Sequence, residues 1–238
     1  MATQTSAWIS RALLLGGLLL FAASAGARPA NFACGPVIAA VLEHKLLDLT
    51  PPSGLLTCRA ERMADHSSNG VEIVAVSQCC RSNSASDWNP AVTPVHRFAL
   101  RREDGKVYAW DPEHSTVTGA GYAVATRKPD DSAVIGAWWS GGWAGSCSLS
   151  YERVQGKLVQ RFRCNNCKVM NQRPLVSLGD DTFTTPGAPV DRFSRILPNG
   201  DLADFDEGGS VGFLPRLPGV CPPTMEELAH PRAPATSR

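Results

Sequence analysis

The stretch whose residue types point most directly to chemistry is Trp138-Trp139-Ser140-Gly141-Gly142-Trp143-Ala144-Gly145. Indole rings set among glycines make flat apolar platforms. Such platforms stack on the C–H faces of sugars while the ring N–H reaches a hydroxyl. Trp138, Trp139 and Trp143 are therefore the candidate ligand-binding residues. Strand alternation sends Trp138 and Trp139 to opposite faces, so the same pattern also predicts that at least one of them fills a core.

A second constellation is acidic. In Asp204-Phe205-Asp206-Glu207-Gly208-Gly209, carboxylates stand at positions one and three of a calcium loop and a glycine at position six. Pro215 occupies the place of the bidentate acid that closes an EF-hand. The candidate is a looser calcium site of Asp201, Asp204 and Asp206, with a plain acidic turn as the alternative. Gly208-Gly209-Ser210-Val211-Gly212 matches a nucleophile-elbow pattern, which needs a helix after the serine. The prolines of Phe213-Leu214-Pro215-Arg216-Leu217-Pro218 forbid one, so the segment reads as a glycine loop. Glu103, Asp104, Asp204 and Glu207 are candidates for a hydrolase carboxylate pair, which is assembled in space rather than in sequence. The five histidines form no zinc-spaced pair.

The eight cysteines, Cys34, Cys58, Cys79, Cys80, Cys147, Cys164, Cys167 and Cys221, read as a disulfide set of up to four bridges. Cys147 and Cys164 flank a hairpin and are placed to meet across it. Cys58 is placed to meet Cys79 or Cys80, Cys34 to pin an N-terminal helix, and Cys221 to tie down the C-terminal segment. Cys164-Asn165-Asn166-Cys167 has redox spacing, but it ends a strand-like run instead of opening a helix, so structural bridges are favoured.

The elements that must position these residues are mainly β. Residues 1–27 read as a signal peptide: an apolar run from Ala12 to Phe21 precedes the small-residue sites Ala23-Ser24-Ala25 and Ala25-Gly26-Ala27. That run falls short of the roughly 20 residues a spanning helix needs. Residues 28–229 read as one β-rich domain and 230–238 as a disordered tail. A helix is expected over 36–49, stopped by Pro51-Pro52, and a capping box at Thr224–Glu227 suggests another short one. Val71–Val76 is β-branched. Hairpins are expected at Val95–Trp110, Cys147–Cys164 and Asp191–Phe205, each with a glycine turn, and further strands at Thr116–Thr126 and Ala133–Trp139. The fold class is a disulfide-stapled antiparallel β-sandwich or barrel with one short N-terminal helix.

Composition narrows the function. Lys and Arg number 23 against 22 Asp and Glu, and loss of Arg11 with the leader makes the balance zero. That argues against nucleic acid and charged membrane surfaces as partners. Two units, Cys58–Trp110 and Cys147–Phe205, resemble the cyanovirin type of mannose-binding lectin at scattered positions. The matching residues are Cys58, Cys80, Gly105, Val107 and Trp110, then Cys147, Cys164, Gly200, Leu202 and Phe205. The resemblance implies a disulfided pair in each unit. A Leu-Asp-Leu-Asn-like stretch is missing from both units and 36 residues separate them, so no sugar-binding residue is carried over. The expected function is a secreted binding protein whose partner is an extracellular glycan or a cell-surface protein. The alternatives are a secreted hydrolase with a carboxylate site, and an effector or inhibitor acting by protein contact. No cofactor beyond the candidate calcium is expected, and no membrane insertion after leader cleavage.

Overall fold

A computed structural model describes residues 31–47, 55–61, 70–79, 94–127, 132–141, 147–189, 191–222 and 224. The expected leader, Trp143, Cys80 and the expected tail lie outside them, as do the capping-box residues after Thr224 and the side chain of Cys79. The described chain is one helix, α1 (Cys34–Glu43), and fourteen strands in two antiparallel sheets.

Helix α1 has few polar atoms, and its place follows from that. Val37, Ile38, Ala39, Ala40 and Val41 are all buried, on every side of the helix. A helix apolar all round must be enclosed. The enclosing surface is a ten-stranded sheet in the order β10 (Val176–Gly179), β11 (Thr182–Thr184), β12 (Phe193–Ile196), β13 (Leu202–Phe205), β14 (Ser210–Leu214), β1 (Leu55–Glu61), β2 (Val71–Cys79), β3 (Val95–Arg101), β4 (Lys106–Asp111), β5 (Thr116–Ala123). Val74, Val76, Phe98 and Val107 meet the helix from one half of the sheet, and Phe193, Ala203, Phe205 and Val211 from the other. The sheet curls round the helix, but β5 and β10 do not pair, so it is not a closed barrel. A disulfide from Cys34 to Cys58 ties the helix to β1, with Cα atoms 5.8 Å apart.

The helix stops well before Pro51-Pro52. His44 caps it and Lys45 turns left-handed at φ 52°. The Leu46 N–H then reaches back to the Val41 carbonyl at 3.0 Å, the six-to-one bond that ends many helices. This local motif overrides the apolar periodicity that runs on to Leu46.

The three expected hairpins form as β3–β4, β7–β8 and β12–β13. In the second, Gln155 and Gly156 both have positive φ, 50° and 75°, as the tightest hairpin turns require. The expected glycine loop ends in a strand: β14 lies inside the large sheet, between β13 and β1. Gly209 explains how. A side-chain carbon there would lie 2.8 Å from the Cys58 carbonyl oxygen, and its φ is +81°. Glycine alone lets the chain enter the sheet at that point.

A second, four-stranded sheet runs β6 (Val134–Trp139), β7 (Cys147–Val154), β8 (Lys157–Cys164), β9 (Lys168–Pro174). It packs on the reverse of β11–β13, making a sandwich there. Ile135, Trp138 and Tyr151 meet Phe183, Ile196 and Leu202. Strand β13 serves both cores: Ala203 and Phe205 face the helix while Leu202 faces the second sheet.

Candidate functional site

The structure separates the tryptophans. Trp138 is fully buried, its ring N–H donates to the Gly200 carbonyl at 2.8 Å, and its ring meets Tyr151 edge-on at 4.9 Å. It is a core residue and cannot form a platform, which corrects the expectation for it. Trp139, one residue on, points to the opposite side of β6 and is 39% exposed. Trp143 lies outside the described residues.

What surrounds Trp139 follows from strand register. On the outer face of the second sheet, Trp139 stands opposite Ser148, Ser148 opposite Arg163, and Arg163 opposite Val169. One row thus crosses all four strands. The next row contains Ser150, Arg161 and Gln172. Glu152 stands beyond Ser150 on the same face of β7. These side chains form one polar network. Arg163 donates to Glu152 at 2.6 Å and also to Ser150. Arg161 donates to the other carboxylate oxygen at 2.9 Å and, through Nε, to Gln172 at 2.8 Å. Ser150 donates to Glu152 at 2.6 Å. Burial pushes the Glu152 carboxyl upward, but the hydrogen bonds from Arg163 and Ser150 and both guanidinium charges outweigh it and hold the carboxyl below its ordinary value.

The C-terminal segment frames this face. Trp139 N–H donates to the Pro215 carbonyl and Leu217 N–H to that of Ala137, so the segment runs beside β6. Ser148 donates to the Val220 carbonyl at 2.5 Å, and Cys221 is bridged to Cys167 after β8. Cys147 and Cys164 are bridged directly across β7 and β8, with Cα atoms 4.2 Å apart. The expected hairpin bridge and the anchoring of the C-terminal segment are thus both present. Cys58 pairs with Cys34, not with Cys79 or Cys80; this corrects the expected partner and removes the pairing that the lectin resemblance implied within the first unit, while the second unit has its Cys147–Cys164 pair. Cys164 and Cys167 bond to different partners, so the pair makes no redox loop.

The acidic constellation disperses. Asp201 precedes β13 and Asp206 follows it, so the strand holds them roughly 16 Å apart. Asp201 accepts the Arg216 N–H at 2.9 Å and the Asn199 amide at 2.8 Å, and Asp206 accepts the Ser210 N–H at 2.7 Å. Asp204 stands between them in the strand, opposite Ser194 and Gly212. Among the described residues no three His, Cys, Asp or Glu side chains gather to hold a metal ion. Asp104 is also engaged, accepting from Tyr108 at 2.6 Å. Ser210 opens strand β14, the reverse of an elbow that leads from strand to helix.

A groove of 340 Å³ lies elsewhere, beside the end of the helix, floored by Leu46, Phe98 and Trp110 and edged by His96 and Arg97. Among the described residues it is lined by no carboxylate, and Arg97 is paired with Glu61 at 2.9 Å.

Sequence reasoning missed the Glu152–Arg161–Arg163 network. Its signal is the alternation in Ser148-Leu149-Ser150-Tyr151-Glu152 and Arg161-Phe162-Arg163, which marks strands with one apolar and one polar face. Searches against family models, curated proteins and solved structures find no match to this chain.

Proposed function

We propose that this chain is an exported, disulfide-stapled binding protein that takes carbohydrate on the outer face of β6–β9. The observation that carries the reading is the exposed indole of Trp139, held in one cross-strand row with Ser148 and Arg163. An indole offers a flat apolar surface for a sugar ring, and the part-exposed Arg161 guanidinium and the exposed Gln172 amide on the same face suit a ligand dense in hydroxyls. Three disulfides fit an oxidising compartment, and no described helix is long and apolar enough to cross a membrane. The leader-like run at residues 12–21 supports export.

The same face speaks for binding over hydrolysis. Glycosidases use two carboxyl groups across the scissile bond. Glu152 is the only acid in strands β6–β9, and it is locked to two arginines. A glycan array probed with the secreted protein, followed by fluorescence titration of each hit, tests the reading. Hits that Trp139→Ala weakens about tenfold are expected, the worth of one stacked aromatic ring. Failure to bind any glycan, or binding that Trp139→Ala leaves unchanged, would overturn it.

A further inference from the structure

We infer that the preferred ligand is an anionic polysaccharide, a glycan chain bearing sulfate or carboxylate groups; this rests on the carbohydrate reading of the same face. The chain as a whole is nearly neutral, at a formal +1. The fold sorts that charge. Residues 134–175, which hold the second sheet, carry Arg153, Lys157, Arg161, Arg163, Lys168 and Arg173 against Glu152 alone, a formal +5. Residues 176–214, which hold β10–β14, carry seven carboxylates against two arginines, a formal −5. A whole-chain count hides this separation because sequence-adjacent segments of opposite charge occupy different sheets.

Lys157, Arg161 and Arg163 share the outer face of β8, since odd-numbered residues of this strand point one way. From Lys157 to Arg163 the row spans roughly 20 Å. The one carboxylate on that face is shared by two guanidinium groups, which leaves their cluster with a formal +1 and Lys157 uncompensated on the face. Arg163 is buried and holds Glu152, while Arg161 keeps 23% of its side chain exposed and Lys157 is exposed. Trp139 lies two strands from Arg163, roughly 10 Å away. Val220 covers Ser148 between the indole and Arg163, so the cations of β8 that a glycan chain extending from the indole meets are the part-exposed Arg161 and the exposed Lys157. Guanidinium groups match the planar oxygen pairs of carboxylate and sulfate. A neutral glycan would use the indole and leave the positive field unused.

The test titrates the full-length secreted protein with dextran, dextran sulfate and polygalacturonate of matched length, with poly-glutamate as a non-sugar polyanion. Each titration is run at low and at high salt. Dextran sulfate, polygalacturonate or both should bind at least about tenfold tighter than dextran, and that advantage should shrink with salt as exposed charges are screened. Which of the two binds tighter assigns sulfate or carboxylate as the anionic group. Lys157→Gln should weaken the anionic ligands about threefold with no change in melting temperature, because the residue is exposed. Trp139→Ala should weaken the polysaccharides and leave poly-glutamate unaffected. Dextran bound as tightly as the anionic chains would overturn the anionic inference and leave the carbohydrate reading standing. Poly-glutamate bound as tightly as the anionic polysaccharides, with Trp139→Ala without effect, would overturn the carbohydrate reading. An absence of binding to all four overturns both.

Discussion

Replacing Glu152 by glutamine removes the only negative charge from a network of two guanidinium groups. The side chains of Glu152 and Arg163 are 9% and 7% exposed, so theirs is a buried pair, whereas Arg161 at 23% is partly solvated. Breaking a buried pair from one side costs about 3–5 kcal/mol, because the surviving charge stays buried without compensation. Glutamine keeps one carbonyl acceptor for Arg163, and solvent screens Arg161, so the lower figure applies: about 3 kcal/mol. For a chain of this size that is a fall in Tm of about 6–12 °C. The reasoning makes two further demands. Glu152 is held below its ordinary carboxyl value in the folded state. A group so depressed gives stability that is fully present above its unfolded value, near pH ~4.3, and is lost as pH falls through the folded value. The gap between wild type and Glu152→Gln should therefore narrow in acid below that point. Second, Glu152→Met combined with Arg163→Met should recover most of the loss, since an apolar pair of similar volume has no desolvation cost to offset. Urea unfolding at pH 7, 5 and 3, with disulfides intact, compares wild type with Glu152→Gln, with the single variants Glu152→Met and Arg163→Met, and with their double variant. A gap that stays constant with pH, or a double variant as damaged as the sum of its single variants, would refute the argument.

Other substitutions test other parts of the structure. Trp138→Ala should destabilise by about 3–5 kcal/mol, and Trp139→Ala by clearly less, since the first ring is fully buried and the second is 39% exposed. Equal melting temperatures for the two would contradict the assignment of faces. Gly209→Ala should cost about 1–3 kcal/mol, because a β-carbon there would press on the Cys58 carbonyl oxygen at a φ of +81°. Gly212→Ala, whose nearest atom beyond its neighbours is 4.0 Å away, is the control and should melt within a degree or two of wild type. Burial raises the Tyr151 hydroxyl above its ordinary value, against the pull of its bond to Ser194. A spectrophotometric titration should therefore show this tyrosine silent past pH ~10 until the protein unfolds. Ionisation in the native state near that pH would contradict its burial. Non-reducing peptide maps should join Cys34 to Cys58, Cys147 to Cys164 and Cys167 to Cys221; a Cys58–Cys80 peptide would overturn the helix anchor.

Much of the secondary structure was legible because it is locally encoded. The hairpins at Gly105, Gly156 and Gly200 announce themselves through turn glycines between alternating runs. Less legible were β1, β9, β10, β11 and β14. Strand β9, Lys168-Val169-Met170-Asn171-Gln172-Arg173-Pro174, is exposed along its whole length and carries no burial pattern to read. Strand β14 hides behind two glycines that look like a loop, and only the approach of Gly209 to Cys58 shows why they are needed. The helix ended early because a backbone capping motif at Lys45 competes with apolar periodicity and wins.

By itself, the sequence determined a leader-like start, a covalently stapled β architecture, one apolar helix and a tryptophan pair split between two faces. These are properties of neighbouring residues, and local sterics and periodicity are enough to express them. Tertiary structure decided which tryptophan is exposed, since that depends on which side of β6 the second core lies. It also decided that Cys34 rather than a nearer cysteine bonds Cys58, because the helix is enclosed by the sheet and brings the two together. And it decided that a neutral chain has a basic sheet. Net charge is a sum over the whole chain, whereas a ligand meets only the charges that the register of four strands places on one face.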